Sequence, residues 1–392
     1  MGKKKKFSVV VSHPIQYHAV LWQNLAKIEN IDFEVLFCSD HGQKVSLDKD
    51  FGIAFKWDIP LKEGYKSRTH RNYGFGNGFF KYINPSIIIS ILFNNNEMVY
   101  FHGVNHFTAY FSFWIARLKG AKTIIRNIAH KLGEVHQSKT KIRLRDLIYG
   151  SVYRKASFCL YIGELNKEFF KSFKVKDEHL LYAPHIVDND FFQKNRLNKD
   201  KSLEFKKGLG IASDRLVLLF CGKLIPIKQP VKLLDAFAKS EFLQKVTLLF
   251  VGDGVLKKDL ESMAEVIVKQ NDQKEIKFLG FKNQSELPAI YSITDVLLLP
   301  TIRETWGLVV NEALNYSTAI VVSDQAGCAP ELVQNKTGIV FNNTSNEELK
   351  KTLEKLVNDK DFLSNCKENS IKVINNWSIK EYIDSIREII NH

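Results

Sequence analysis

No apolar run in this 392-residue sequence approaches the ~20 residues that a membrane-spanning helix needs. A secretory leader is not expected either. Met1, Gly2 and the lysines at 3–6 lead straight into a short strand-like run at 7–11, with no long apolar stretch and no small-residue cleavage site. Gly2 does not fit an N-myristoylation signal, because Lys6 stands where that signal carries Ser or Thr. Cysteine is scarce and odd in number. Cys38, Cys159, Cys221, Cys328 and Cys366 are far apart, which argues against a zinc site or a disulfide framework and suits reduced cytosolic thiols. Zinc-finger spacing, an RNP-like aromatic strand motif and a basic low-complexity tail are all missing, so nucleic acid is not an expected partner. Nor is there a repeat of solenoid length.

Hydrophobic residues make up 45% and charged residues 25%, the balance of an ordinary globular protein. The length suits two α/β domains better than one core. The formal net charge is +13. Between 122 and 155 nine Lys/Arg (122, 126, 131, 139, 141, 143, 145, 154, 155) face two acids, Glu134 and Asp146. Such a run is either a solvated helix face or a surface for an anionic membrane.

Short β-branched or aromatic runs alternate with longer amphipathic ones. Strands are expected at 7–12, 32–37, 97–101, 122–126, 157–162 and 180–183, then at 216–221, 246–251, 276–279, 295–299 and 319–323. Several are apolar throughout, as strands buried on both faces of a parallel sheet are. The β-α-β order predicts an α/β fold with two Rossmann-like, doubly wound domains facing a cleft. The first domain is expected over 1–187. The Lys-, Asn- and Asp-rich stretch 188–207 reads as a linker, and the second domain as 208–376. The final segment, 377–392, has the apolar stripe of a helix and is expected to pack back toward the first domain.

Candidate chemistry sits where strands end, because ligands of doubly wound folds bind at the carboxyl edge. After the strand ending at Cys221 come Gly222, Lys223 and Lys228, two cations able to reach an anion or simply solvated. Gly252-Asp253-Gly254 reads as a structural turn. After 295–299 the run from Pro300 to Leu314 contains Glu304, Thr305, Trp306, Gly307, Leu308 and Glu312. A helix starting near Gly307 would offer free backbone N–H groups to an anion. Glu304 and Glu312 are either a cap and a structural ion pair, or acceptors for ligand hydroxyls. Ser323 to Leu332 forms a further strand-to-helix turn. In the first half two polar clusters follow strands: His13, Gln16, Tyr17 and His18, and His102, Asn105 and His106. Zinc ligation by them is disfavoured, since no cysteine or acid stands at ligand spacing.

From about 215 to 341 the sequence resembles the retaining glycosyltransferases of family 4, which have the GT-B fold. Glu304 and Glu312 resemble that family's two glutamates separated by seven residues. Gly222-Lys223-Leu224 through Lys228 resembles its Gly-Arg-Leu…Lys segment, with Lys for the usual Arg. Gly252-Asp253-Gly254 and Gly280-Phe281 through Tyr291 follow the family's order. The first half matches more loosely: His185-Ile186 replaces a common Asn-Gly before the linker, and His13 to Tyr17 replaces a common Gly-Gly.

The resemblance implies roles. Lys223 and Lys228 would neutralise the leaving diphosphate. Glu304 and the amides from Thr305 to Leu308 would hold sugar hydroxyls and diphosphate, Glu312 the ribose, and Gly280 and Phe281 would border the base. His102 would face the transferred sugar, and Arg126 would give a second phosphate contact. His13, Gln16, Tyr17, His18, Asn105 and His106 would lie on the acceptor side. The expected enzyme is a hexosyltransferase-class glycosyltransferase moving a sugar from a nucleotide-diphosphate sugar to a glycan or lipid-linked acceptor. Its setting would be surface polysaccharide or glycolipid synthesis. No cofactor beyond this co-substrate is expected, and no metal, because no Asp-x-Asp pair is present. The competing readings are a nucleotide-sugar 2-epimerase of the same fold and a catalytically silent nucleotide-sugar-binding protein. The expected location is cytoplasmic, with peripheral contact to an anionic membrane face through the basic residues and the aromatic stretch 107–114.

Overall fold

In a computed structural model of the chain the described residues are 4–42, 46–48, 52–132, 139–271 and 273–392. Gly2, Lys3 and Glu134 lie outside them, as do the side chains of Lys139 and Lys141. The chain divides into two compact units. One comprises Met1–Ser46, Phe55–His185 and Ile379–His392; the other comprises Leu47–Ala54 and Ile186–Ser378.

The first unit is built on a parallel sheet. From edge to edge it runs Ser67–Thr69, Ile31–Phe37, Lys5–Val11, Met98–His102, Lys122–Arg126, Phe158–Tyr161 and Leu180–Tyr182. Val9 to Val11, Val35 to Phe37, Val99 to Phe101 and Ile124 to Ile125 are all buried. Helices on both faces explain why these strands are apolar at consecutive positions instead of alternate ones. The second unit has a parallel sheet in the order Lys274–Phe278, Val246–Val251, Leu216–Cys221, Val296–Leu299, Ala319–Ser323 and Gly338–Phe341. Both units are thus Rossmann-like α/β layers, as the alternation of patterns predicted.

Two strands of these sheets, Ser67–Thr69 and Gly338–Phe341, escape sequence reading. Both are short edge strands, and the first is polar and half-exposed. The expected linker at 188–207 is corrected: the segment forms two helices, Asn189–Lys194 and Lys199–Gly208, grouped with the second unit. Its polar residues are caps and solvated faces. Asp188 and Asn198 accept hydrogen bonds from the amides of Phe191 and Lys201, at 3.0 Å each. Phe192 anchors the first helix in the core. The last helix, Ile379–Asn391, belongs to the first unit and buries Tyr382, Ile383, Ile386, Ile389 and Ile390. Ser385 Oγ donates to the carbonyl of Tyr182 at 2.5 Å, and Lys5 Nζ to that of Ile390 at 2.5 Å.

Candidate active site

In the second unit three loops leave the carboxyl edge of the sheet and are tied together by backbone. The amide of Gly222 donates to Val251 O at 2.9 Å, that of Leu224 to Asp253 O at 2.8 Å, and that of Gly252 to Gly280 O at 2.8 Å. Gly252 is obligatory: its φ is +136°, and a Cβ there would lie 1.9 Å from the Gly222 carbonyl oxygen. Asp253 binds its own neighbourhood, accepting from Gly254 N at 2.8 Å and pairing with Lys257 at 3.1 Å. The turn at 252–254 is therefore structural.

The Pro226–Lys228 turn is fastened to the loop after Val296–Leu299. Thr301 Oγ1 and the amide of Ile302 both donate to Ile227 O at 3.0 Å. That fastening brings Lys228 and Glu304, separated by 76 positions, into an ion pair. The Glu304 backbone is held from the other side, its amide donating to Gln325 O at 3.1 Å and its carbonyl accepting from Gly327 N at 3.0 Å. Gly307, at φ +102°, turns the chain into the helix Leu308–Leu314. A side chain there would press on Leu299 and Glu304. Among the described residues the amides of Thr305, Gly307 and Leu308 donate to no protein acceptor. The Trp306 ring is different: it is buried, its Nε1 donates to Asn311 at 2.9 Å, and it packs on Trp377 at 5.0 Å. The ring therefore serves packing, and the Trp306 carbonyl accepts from the amide of Cys328 at 3.1 Å.

Glu312 is buried with a partner. Tyr291 Oη donates to its Oε2 at 2.6 Å and lies 3.8 Å from Cys221 Sγ. A buried carboxylate that accepts one hydroxyl retains acceptor capacity on its other lone pairs. Lys223 and Phe281 are half-buried at the exits of Leu216–Cys221 and Lys274–Phe278, and Gly280, with φ +67°, has open space on its Cβ side. The Lys228–Glu304 pair, Glu312 and the loop amides all belong to one edge of the second sheet.

In the first unit the polar residues converge on a buried centre. His18 and His102 rings lie 4.1 Å apart. His102 and Arg126 are neighbours across paired strands. Arg126 is wholly buried. Its Nη2 donates to Pro184 O at 3.0 Å and lies 3.3 Å from His185 Nδ1, and the guanidinium stands 4.8 Å from the Tyr382 ring centre. Arg126 Nε and Nη1, His102 Nε2, His18 Nδ1 and Gln16 Oε1 are buried without a hydrogen-bond partner among the described residues. Such atoms are costly unless a ligand or water completes them. Burial, followed by the Arg126 charge, pushes His102 down to about 3. Burial and the neighbouring His102 and Arg126 charges lower His18, and burial with Arg126 lowers His185. These imidazoles are neutral at pH 7.

The sequence-predicted histidines do not all join this centre. His106 caps the helix Phe107–Leu118, its Nδ1 accepting from the amide of Ala109 at 3.3 Å, and burial takes it to about 4. His13 bonds Ser12 at 2.9 Å and meets His41 edge-on at 5.4 Å; burial, then His41, takes it to about 4. Asn105 is exposed, and Tyr17 is half-buried. Sequence reading missed His41 and Tyr382, which reach these groups from other elements of the chain, and Tyr100, which lies on the same strand as His102 and bonds the Tyr382 hydroxyl. Among the described residues no group of three or more His, Cys, Asp or Glu could hold a metal ion.

Residues 201–373 match the family of glycosyl transferases group 1. An alpha-monoglucosyldiacylglycerol synthase of Acholeplasma laidlawii is 28% identical over 208 residues, covering 52% of this chain and 50% of that protein. A UDP-Gal:alpha-D-GlcNAc-diphosphoundecaprenol alpha-1,3-galactosyltransferase of Escherichia coli is 25% identical over 285 residues, 70% of each. The chain spans about half the length of several curated relatives it matches, 56%, 50% and 42% in three of them. Anabaena HepE, solved in complex with UDP, superposes with a TM-score of 0.76 at 17% identity, over 99% of both chains. Residues 201–373 thus resemble glycosyl transferases group 1, and the chain as a whole shares the fold of the superposed HepE structure.

Proposed function

We propose that the chain is a retaining glycosyltransferase of family 4 that moves a sugar from a nucleotide-diphosphate sugar to a glycan or lipid-linked acceptor. The observation that carries this reading is the Lys228–Glu304 pair, fixed by backbone bonds beside unpaired loop amides at one sheet edge. Cleavage of the bond between anomeric carbon and phosphate builds negative charge on the leaving diphosphate. Lys223, Lys228 and the amides of Thr305, Gly307 and Leu308 are preorganised donors for that charge. Glu304 orients sugar hydroxyls, and Glu312, already accepting from Tyr291, binds ribose hydroxyls with its remaining acceptor capacity. Retention follows if the acceptor attacks from the face the phosphate leaves, with a phosphate oxygen taking the acceptor's proton. No divalent cation is needed where lysines supply the charge. In the first unit His102 and Arg126 line the sugar and phosphate side, and His13, Gln16, Tyr17 and His18 the acceptor side.

The names of the relatives, a glucosyldiacylglycerol synthase and a diphosphoundecaprenol-dependent galactosyltransferase, support a lipid-side acceptor and a role in surface polysaccharide or glycolipid synthesis. The same reading puts the enzyme on the cytoplasmic face of an anionic membrane. The experiment is incubation with a panel of UDP-, GDP- and ADP-sugars, following slow hydrolysis by NMR. Release of one sugar with its anomeric configuration kept is the expected result. Hydrolysis of none, with folded protein, or interconversion of two epimeric nucleotide sugars, would overturn the reading.

A further inference from the structure

The long segment Ile186–Ser378 builds most of the second unit, and both of its ends reach the loop that carries Glu304. Trp306 stands in that loop, two residues after Glu304 and two before the helix Leu308–Leu314. Its ring meets Trp377, next to last in the segment, with centroids 5.0 Å apart and planes 35° apart. Its Nε1, the only polar atom of the side chain, donates to Asn311 Oδ1 at 2.9 Å. Both tryptophans are buried.

The other end of the segment arrives at the same place. Asn189 is buried, and its side chain is used on both sides. Nδ2 donates to the carbonyls of Ile374 and Trp377 at 3.3 and 3.2 Å, and Oδ1 accepts from Asn315 Nδ2 at 3.0 Å. Asn315 Nδ2 also donates to Asn311 O at 2.9 Å, which closes a circuit through Trp306, Asn311, Asn315, Asn189 and Trp377. Asn311 and Asn315 are wholly buried. Amide side chains are costly in such a place unless they are hydrogen-bonded, so the circuit holds only in one arrangement that satisfies all three asparagines.

A branch of the circuit reaches Glu312. Phe192, on the same short helix as Asn189, meets Tyr291 edge-on at 6.2 Å. Tyr316 meets the rings of Phe192 and Tyr291 at 6.3 and 5.5 Å, and its hydroxyl donates to Phe192 O at 2.6 Å. Tyr291 is the residue whose hydroxyl bonds Glu312. Preorganised donors and acceptors act only while their geometry is kept, and a shift of the loop by a fraction of an ångström would loosen them.

We infer that Asn189 and Trp377 are positioning residues for transfer. Trp377 acts through Trp306 on the loop amides from Thr305 to Leu308, and Asn189 acts through Asn315 and the Phe192–Tyr291 contact on the helix that carries Glu312. This rests on the donor-site reading above, and one arm of its test needs no donor. That arm is hydrogen exchange of the full chain, read on peptides spanning 304–314. Exchange there is expected to be at least ~10-fold faster in Trp377→Leu and in Asn189→Ser than in the wild type. Trp377→Phe, which keeps a ring against Trp306, is expected to restore the wild-type rate. Leu349→Ala, in the wholly buried face of the helix Asn346–Asn358, is expected to lower the melting temperature without speeding exchange at 304–314. The second arm is hydrolysis of the nucleotide sugar that the wild type accepts. Trp377→Leu and Asn189→Ser are expected to lower kcat by ~10-fold or more, with KM changed by less than ~3-fold, since a loosened loop loses contacts made in the transition state. Unchanged exchange in both variants would overturn the inference. So would equal acceleration by Leu349→Ala, since the loop would then only follow global stability. Faster exchange with unchanged kcat would overturn it too, because the contacts would be structural alone. A wild type that hydrolyses no nucleotide sugar would sink the catalytic reading, while the exchange arm would still decide whether these residues hold the loop.

Discussion

Lys228 and Glu304 show how one pair of side chains concentrates the proposed chemistry. Each is placed by backbone bonds of its own loop, so removing either side chain deletes a preorganised contact with little change to the scaffold. Lys228→Ala and Glu304→Ala are each expected to lower turnover by at least ~100-fold, the usual scale for one lost transition-state contact. Steady-state rates with melting curves check this; near wild-type turnover in both would remove the pair from the site. The histidines of the first unit give a second expectation at this scale. His102 is held at about 3, and His13 and His106 at about 4, against an ordinary value of 6.5. Above pH 6.5 folded and unfolded chains are both neutral at these positions. Below it the unfolded chain takes up protons that the folded chain refuses until pH 3 to 4, so stability falls as pH drops through that window. Melting temperature is expected to decline from pH 6.5 to 4.5, and less steeply in His106→Asn, where the cap is kept and the titrating group is gone. A flat profile in the wild type would contradict the burial of neutral imidazoles.

Among the elements, the last helix has the clearest energetic weight. Its stripe from Tyr382 to Ile390 is buried in the first unit, where Tyr382 also lies beneath Arg126. Ile386→Ala removes a fully buried branched chain and is expected to cost about 2–5 kcal/mol. Urea unfolding monitored by circular dichroism measures it, and a loss below ~1 kcal/mol would mean that the helix contributes little packing. The periodicity of this helix is legible in the sequence, because its apolar residues recur every three or four positions. The central strands are legible for a related reason: burial on both faces leaves uninterrupted apolar runs such as 216–221 and 246–251. The edge strands Ser67–Thr69 and Gly338–Phe341 are not: the first is polar, as an edge position tolerates, and the second is apolar but only four residues long. The helices at 189–194 and 199–208 are hidden by composition, as capped, solvated helices share their Asp, Asn and Lys with linkers.

At the scale of the whole molecule, the proposed mechanism assigns charge neutralisation to lysines and amides. Transfer is therefore expected to proceed at an unchanged rate in excess EDTA. Silencing by EDTA with recovery on adding magnesium or manganese would show that a cation supplies charge the protein does not.

The sequence by itself determined the α/β alternation, the two parallel sheets and the strand-end loops that carry Gly222, Lys228, Glu304 and Glu312. These are local properties, written in spacing, turn residues and runs of burial within a few positions. Tertiary structure alone decided that Lys228 pairs with Glu304, that Tyr291 caps Glu312, and that Trp306 belongs to the core. It also decided that His18, His102, His185 and Arg126 share one buried centre, while His106 serves as a helix cap. The ring-rich run at 107–114 stands out in the sequence, but its contact with Phe80 does not. Such pairings join residues tens of positions apart, and the physical reason they cannot be read beforehand is that burial, the quantity that sets their energy, exists only once the sheets and helices have packed.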